Sequence, residues 1–134
     1  RYSQEDLRVL MNSSEYFVFV FDLEDKFGSH GIVSYVVVKL VSEDTVFIEN
    51  WAMSCRVLER TTEQFIINKI CRFLEQKCFK NLLAEYIETK KNILVKDLYN
   101  KLGFSNDGNH HYSISLDNYK EQNTYITQKM NENE

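Results

Sequence analysis

The sequence predicts an α/β domain built on one mixed, mostly antiparallel sheet, and three stretches carry the prediction. Residues Val46–Leu74 form an apolar strand, a polar joint and an amphipathic helix in succession. Upstream, Tyr16–Leu23 and Ile32–Val41 are aromatic and β-branched runs, typical of buried strands. Because a strand–helix–strand unit crosses over with a right-handed connection, we expect a central parallel strand pair beside an antiparallel half, with flanking helices.

Capping and turn signals place the other elements of the first half. Ser3 and Asp6 stand three residues apart, an approximate capping box that predicts a short N-terminal helix. Glu24–Gly31 contains two glycines and predicts a hairpin loop. Ser42–Asp44 predicts a tight turn that leads into a third strand at Thr45–Met53. The first three strands therefore form an antiparallel meander.

The second half alternates helices and strands. Its periodicity predicts elements at Thr62–Gln76 (helix), Asn81–Ile87 (strand), Ile93–Leu102 (helix) and His110–Leu116 (strand). Gly103 follows the second of these helices as a C-cap, and Phe104 is expected to pack back onto that helix. The strand at Asn81–Ile87 should lie parallel to the strand that ends at Met53.

Length and composition indicate one domain with a single core. The chain has 134 residues, which suits one domain spanning 1–117, followed by a polar tail over 118–134 that we expect to be frayed or loosely packed. The net charge of −4 argues against nucleic-acid binding, and no apolar run is long enough to suggest a membrane partner. The chain starts with Arg1, so we expect a piece of a longer polypeptide.

Cysteines and histidines give no metal-ligand spacing. Cys71 and Cys78 lie two helical turns apart, roughly 10 Å, which is too far for a disulfide. The cysteine usage therefore favours a reducing, cytoplasmic location. His30 lies in a turn, and neighbouring residues His110 and His111 point to opposite faces of a strand. We expect structural or solvent-facing histidines and no metal site.

The polar joint Ser54–Glu63 is the candidate ligand site. The first turn of a helix has unpaired N–H groups and a positive dipole end, which favour an anion. If the two parallel strands diverge beyond the joint, they leave a cleft with free backbone donors. The sequence therefore predicts an anion-binding cleft where the third strand ends.

At this point the chain resembles a known family. The order of elements, the strand–joint–helix unit and the ending Leu98-Tyr99…Gly103-Phe104 resemble the GCN5-related N-acetyltransferase (GNAT) fold. More narrowly, the chain resembles the GNAT-like C-terminal domain of FkbH-like proteins (HAD-superfamily phosphatase subfamily IIIC), which place a haloacid-dehalogenase-like (HAD-like) domain before it. The stretches that carry this narrower likeness are Asp25–Val33, Met53–Arg60, Glu85–Asn92 and Tyr99–Phe104.

The resemblance implies that the joint holds an acyl thioester. GNAT enzymes cradle the pyrophosphate of acetyl-CoA with backbone amides of a Gln/Arg-x-x-Gly-x-Gly/Ala loop. The matching positions here are Arg56, Glu59 and Thr61, so the arginine fits and neither glycine is present. Glu59 adds repulsion of about 1 kcal/mol or more to a nearby phosphate. A phosphopantetheine thioester carries less phosphate than acetyl-CoA. The implied cofactor-binding residues are Ser54, Arg56, Val57, Leu58, Glu59, Arg60, Thr61 and Asn92.

Two residues are candidates for catalysis. Tyr99 matches the GNAT tyrosine that protonates the leaving thiolate, and its alternative role is packing on the sheet. Cys55 lies near a helix N-terminus, which lowers a thiol pKa and makes a nucleophile conceivable; its alternative role is that of a buried small apolar residue. Asn92 matches a position that holds a pantetheine amide, or it caps the following helix.

Each of the other polar side chains near the joint has two alternative roles. Arg56 and Arg60 either bind phosphate or pair with neighbouring glutamates on the surface. Glu49 and Glu85 lie on adjacent strands, where one of them is a candidate general base for an incoming amine, or both point to water. Trp51 is expected in the core or in the cleft wall.

Two classes of function follow. One is an acyltransferase that uses a thioester of CoA or of an acyl carrier protein, with Tyr99 as general acid. The other is a non-catalytic GNAT-like module that docks a carrier protein or supports a HAD-like catalytic domain of the same chain, which loads a glyceryl-type unit. The missing loop glycines favour the second class.

Overall fold

The computed structural model describes residues 2–54, 57, 60–87 and 97–129. The predicted helix cap Asn92 and the joint residues Cys55, Arg56, Leu58 and Glu59 lie outside this part. In chain order the helices and strands are α1 Gln4–Met11, β1 Tyr16–Asp25, β2 Gly28–Leu40, β3 Thr45–Met53, α2 Thr62–Gln76, β4 Asn81–Glu85, α3 Leu98–Lys101, β5 Ser105–Asn106 and β6 His111–Ser115.

The described strands form one mixed sheet in the order β1-β2-β3-β4-β6-β5. Strands β1, β2 and β3 form the antiparallel meander, and β3 pairs with β4 in parallel. The remaining pairs, β4 with β6 and β5 with β6, are antiparallel. Fold class and the central parallel pair are thus as the sequence predicts.

Helix α2 covers one face of the sheet and supplies the centre of the core. Its period-3.6 positions Ile66, Ile67 and Ile70 are fully buried against the sheet residues Val36 and Val46. Each isoleucine buried in this way stabilises the fold by about 1.5–3 kcal/mol. The helix starts and ends at the predicted residues because its apolar stripe begins and stops there.

At the N-terminus the capping box is confirmed. The Asp6 N–H donates to the Ser3 hydroxyl at 3.1 Å, and the Ser3 N–H donates to the Asp6 carboxylate at 3.0 Å. Two N–H groups that the first turn of α1 would leave unpaired are therefore satisfied.

The first hairpin differs from the prediction of a loop over Glu24–Gly31. Strand β1 runs on to Asp25, and Asp25 pairs directly with Gly28, so only two residues form the turn. Gly28 supplies a φ of +119°, and the Asp25 carboxylate accepts the Phe27 N–H at 2.8 Å. The loop prediction was wrong because a short turn that combines an aspartate with a glycine needs few residues.

Smaller differences concern the second half. The fourth strand ends at Glu85 rather than Ile87, and the last strand covers His111–Ser115. Ser105–Asn106, expected in a turn, forms a two-residue strand against β6. The helix predicted at Ile93–Leu102 is described only over Leu98–Lys101, since its first half lies outside the described residues.

The segment after β6 packs against α2 along much of its length. We define residues 119–126 as the C-terminal strap. The strap contains no helix or strand, yet its residues Tyr119, Gln122 and Thr124 make side-chain hydrogen bonds to the body of the domain. The expectation of a frayed tail is therefore wrong for the strap.

Candidate active site where two parallel strands part

The strands β3 and β4 separate after a short parallel stretch. Thr45–Ile48 pairs with Asn81–Ala84, and there the parallel ladder ends. Beyond this point the rest of β3 stays paired with β2, while Glu85 of β4 pairs with β6. The parallel ladder of the central pair thus ends after four residue pairs, where the sequence predicts that the two strands diverge, and we call the space beyond it, between the ends of β3 and β4, the cleft.

A β-bulge at Glu49 accompanies the separation. On the β2 side, Val37 is opposite Asn50 and Val38 is opposite Ile48, so Glu49 is an extra residue in β3. A bulge bends its strand and increases the local twist. It also shifts the alternation of side chains, which is why Trp51, three residues after Ile48, faces the same core. The bulge thereby aims the end of β3 away from β4.

Helix α2 begins, after the joint that follows β3, with an unusual cap. Thr61 is the N-cap residue, and it has a left-handed backbone (φ 63°, ψ 11°). For a β-branched residue this conformation costs about 1–2 kcal/mol. Its side chain makes no capping hydrogen bond to α2. The N-terminal end of the helix dipole thus carries no side-chain cap from its own N-cap residue.

The next residue, Thr62, presents a polar atom of the kind that a ligand satisfies. Its side chain is 3% exposed, and its hydroxyl has no hydrogen-bond partner among the described residues. A buried hydroxyl without a partner is costly, by about 1–3 kcal/mol. The chemistry of this end of α2, a dipole and an unsatisfied hydroxyl, fits the phosphate of a CoA-type ligand.

Of the other described joint residues, Ser54 and Val57 are hydrogen-bonded within the chain and Arg60 is exposed. The N–H of Ser54 donates to the Val33 carbonyl at 2.8 Å, and the N–H of Val57 donates to the Ser54 carbonyl at 3.2 Å. Both amides are therefore engaged within the chain, and the Val57 side chain is buried. Arg60 is exposed and lines a groove of about 1120 Å³ between β1 and residues 125–129. Its guanidinium is therefore accessible to an anion.

Tyr99 is placed by the end of α3. The N–H of Phe104 donates to the Tyr99 carbonyl at 3.0 Å, and the N–H of Gly103 (φ 87°) donates to the Asn100 carbonyl at 3.2 Å. This is a Schellman motif, and the Phe104 ring packs on the Tyr99 ring at a centroid distance of 5.1 Å. The predicted glycine C-cap and the predicted Phe104 contact are both confirmed.

The Tyr99 side chain is 8% exposed and lies among aromatic rings. Its ring centroid is 6.2 Å from Trp51 and 5.3 Å from Tyr112. Burial, and secondarily the neighbouring Tyr112, raises the pKa of the Tyr99 phenol far above its ordinary value of 10.0. The phenol therefore carries its proton at neutral pH.

Trp51 connects Tyr99 to the cleft. It is half-buried, and its Nε1–H is buried without a hydrogen-bond partner among the described residues. An indole N–H is a donor only, so it suits a carbonyl oxygen such as that of a pantetheine amide. Glu49 and Glu85, the alternative general bases, are both exposed. Sequence analysis placed Trp51 in the core or cleft wall and did not identify its free donor.

Solved structures share this fold. An acetyltransferase-family protein (GNAT) from Desulfovibrio desulfuricans gives a TM-score of 0.65 at 16% identity and covers 84% of this chain and 77% of its own. Tetrahymena GCN5 gives a TM-score of 0.62 at 12% identity, and the match covers 90% of this chain and 80% of that protein. A Bacillus anthracis protein described as a streptothricin acetyltransferase, in complex with acetyl coenzyme A, gives a TM-score of 0.59 at 14% identity. That match covers 81% of this chain and 64% of the Bacillus anthracis protein. The domain has the GNAT fold.

Other comparisons give no further relative. The sequence matches no protein-family model and no curated protein. Within the described part of the chain, the helices are too short or too polar to span a bilayer.

Proposed function

We propose that this domain is a GNAT-type acyltransferase that moves the acyl group of a CoA-type thioester to a nucleophilic acceptor. The observation that carries the proposal is the end of the β3–β4 ladder after Ile48 and Ala84, in the strand that leads through the joint into the N-terminus of α2. A thioester needs such a slot for its pantetheine arm and a helix N-terminus for its phosphates.

Donors at this end of the domain complement such a ligand. Thr62 and the first turn of α2 would face phosphate and the Trp51 N–H would face an amide carbonyl, whereas Arg60, on the groove beside β1, would meet only the more distant phosphates. Acetyl-CoA and a phosphopantetheine thioester share the pantetheine arm, and either would use the Trp51 contact. Only acetyl-CoA brings the diphosphate and the ribose phosphate that would engage Arg60.

Tyr99 is the proposed proton donor. As the acceptor nitrogen attacks the carbonyl carbon, the carbon–sulfur bond breaks and its electron pair goes to sulfur. The Tyr99 hydroxyl then delivers its proton to the thiolate, and the proton that the acceptor nitrogen loses as the amide forms returns through water to the Tyr99 phenolate. Cys55 is a second proposed catalytic residue, as an acyl-carrying thiolate near the start of α2.

The test combines binding and turnover. Hydrogen exchange of residues 60–64 in the 134-residue chain is measured with and without CoA and pantetheine at millimolar concentration. Protection by CoA, and weaker protection by pantetheine, is expected. Unchanged exchange with both ligands contradicts the proposal. Tyr99→Phe keeps the ring packing, and it should lower kcat of acyl transfer about 10²-fold or more if the phenol protonates the thiolate.

A second candidate function is a non-catalytic GNAT-like module, and the environment of Tyr99 favours it. A phenol whose pKa is raised by burial is a weak acid beside a thiolate, whose conjugate thiol has a pKa of about 8.5. Thr61 also places a side chain where the acetyl-CoA loop pattern has glycine. Unchanged turnover of the full-length protein after Tyr99→Phe would support this function.

We further propose a biological setting for both functions. The likeness to FkbH-like proteins supports a cytoplasmic polypeptide in which a HAD-like domain accompanies this one and an acyl carrier protein is the partner. The carrier would present its phosphopantetheine thioester to the cleft. Co-purification of this domain with a phosphopantetheinylated carrier protein, compared with the same carrier lacking the prosthetic group, tests the partnership.

A further inference from the structure

The C-terminal strap is held on α2 by a specific polar clamp. The Asn68 side chain, on the second turn of the helix, donates to the Gln122 carbonyl at 2.9 Å and accepts the Gln122 N–H at 2.8 Å. The Tyr119 hydroxyl donates to the same Asn68 oxygen. The Gln122 side chain donates to the Leu102 carbonyl at 3.1 Å. The clamp thus ties the strap to α2 and to the end of α3 together.

From this clamp the strap reaches the N-cap of α2. The Thr124 hydroxyl lies 2.9 Å from both the carbonyl and the hydroxyl of Thr61, and the Tyr125 N–H donates to the Thr61 hydroxyl at 3.1 Å. The Thr61 carbonyl also accepts the Phe65 N–H, which starts the helix. Every acceptor of Thr61 is therefore in contact with the strap.

These contacts have a consequence for the first turn of α2. A threonine at an N-cap normally turns its hydroxyl toward the N–H groups of its own helix. Here the strap engages that hydroxyl, and it holds the backbone in a left-handed conformation that threonine disfavours. The first turn then lacks the cap that would compete with a bound anion.

We infer that the C-terminal strap organises the donor-binding end of α2, with Thr124 as a positioning residue. This inference rests on the proposed function. Where the acetyl-CoA loop pattern has glycine, this chain has Thr61, and Thr124 would keep the left-handed backbone of Thr61 in place beside the phosphates. Thr124 acts through Thr61 and touches no ligand itself.

The test replaces the Thr124 hydroxyl while keeping the side-chain shape. In Thr124→Val, which loses the hydroxyl contacts to Thr61 and the bond from the Ile126 N–H, amide exchange at residues 60–64 should accelerate, and the Kd and KM for acetyl-CoA should rise roughly 3- to 10-fold. The kcat should stay within twofold, because the reacting atoms are not touched. Thr124→Ser should restore both Kd and KM, and Asn123→Ala, at the exposed neighbour of Thr124 within the strap, should match wild type.

Testing Thr124→Val in the Thr61→Gly variant separates the positioning role of the Thr124 hydroxyl from a general role in packing. In Thr61→Gly the left-handed backbone needs no support, so adding Thr124→Val should change Kd less than twofold. An equal loss in both backgrounds, or wild-type exchange and Kd in Thr124→Val, overturns the inference. If wild type binds no acetyl-CoA, the proposed function fails. The exchange of residues 60–64 in the unliganded variants still decides whether the strap holds Thr61.

Discussion

The indole of Trp51 meets the ring of Tyr99 edge-on, with the two ring centroids 6.2 Å apart. The contact joins the end of β3, beyond its bulge, to α3. Tyr99 is a buried member of the hydrophobic core and Trp51 packs against that core, so the contact extends the core to the end of β3 that β4 no longer accompanies.

Two substitutions of Trp51 should separate packing from polarity. Trp51→Ala removes the ring contact and should lower the free energy of unfolding by about 2–4 kcal/mol. Trp51→Phe keeps an aromatic ring and removes an N–H without a described partner, so the free energy of unfolding should fall by only about 1 kcal/mol. Urea unfolding followed by circular dichroism measures both. Equal losses would contradict a specific role for ring packing.

Gly103 should tolerate asparagine better than alanine. Its φ of 87° is strained for a residue with a Cβ, although the nearest atom to an added Cβ, Nε2 of Gln122, would be at an ordinary 3.5 Å. The cost of Gly103→Ala therefore comes from the backbone and should be about 1–2 kcal/mol. Gly103→Asn should cost less, since asparagine enters the left-handed region more readily. Thermal unfolding of the two variants gives the comparison. If alanine is harmless, the Schellman motif does not hold Tyr99.

The two described cysteines should react very differently. Burial, with a smaller contribution from Glu75, raises the pKa of the Cys71 thiol to about 12, whereas Cys78 is exposed. Because the thiolate is the reactive form, iodoacetamide at pH 8 should alkylate Cys78 in the native protein and reach Cys71 only after unfolding. Peptide mapping by mass spectrometry reads out both sites. Native labelling of Cys71 at the rate of Cys78 would show that the core opens near it.

Local signals in the sequence predicted much of the fold. The bounds of β3 and α2 follow from hydrophobic periodicity, and the start of α1 and the C-terminal end of α3 follow from capping residues. The bulge at Glu49 could not be predicted, since it depends on register against β2 and has no local sequence signal. The strap was missed for a similar reason. It is polar and aperiodic, and its partner Asn68 is 54 residues away from Gln122.

Acid should weaken the contribution of the first hairpin turn to the stability of the folded protein. The Asp25 carboxylate faces His30 Nε2 at 2.8 Å and accepts the Phe27 N–H, and these contacts lower its pKa below the ordinary 3.8. A lowered pKa in the folded state adds stability above pH of about 4, and this stability is lost as the pH falls through the folded-state value. Asp25→Asn should therefore destabilise the protein at pH 7 and have a much smaller effect near pH 2.

The control for this pH dependence is Asp22→Asn, on the same strand. Asp22 is exposed, and its carboxylate makes no hydrogen bond or ion pair in the described part of the chain. Its substitution should leave the urea midpoint nearly unchanged at both pH values. A pH-independent loss in Asp25→Asn would mean that the carboxylate acts through shape rather than charge.

Removing the Asn68 side chain should release the strap without unfolding the domain. Asn68→Ala deletes the hydrogen bonds to Gln122 and Tyr119 and should cost about 1–3 kcal/mol, because the partners become unpaired while the apolar core of α2 stays intact. The Gln122 amide should lose its exchange protection, and proteases should cut within 119–126. Asn123→Ala, an exposed neighbour in the strap, should show neither change. Protection of Gln122 that survives in Asn68→Ala would mean that apolar packing of Tyr119, rather than the amide clamp, holds the strap on α2.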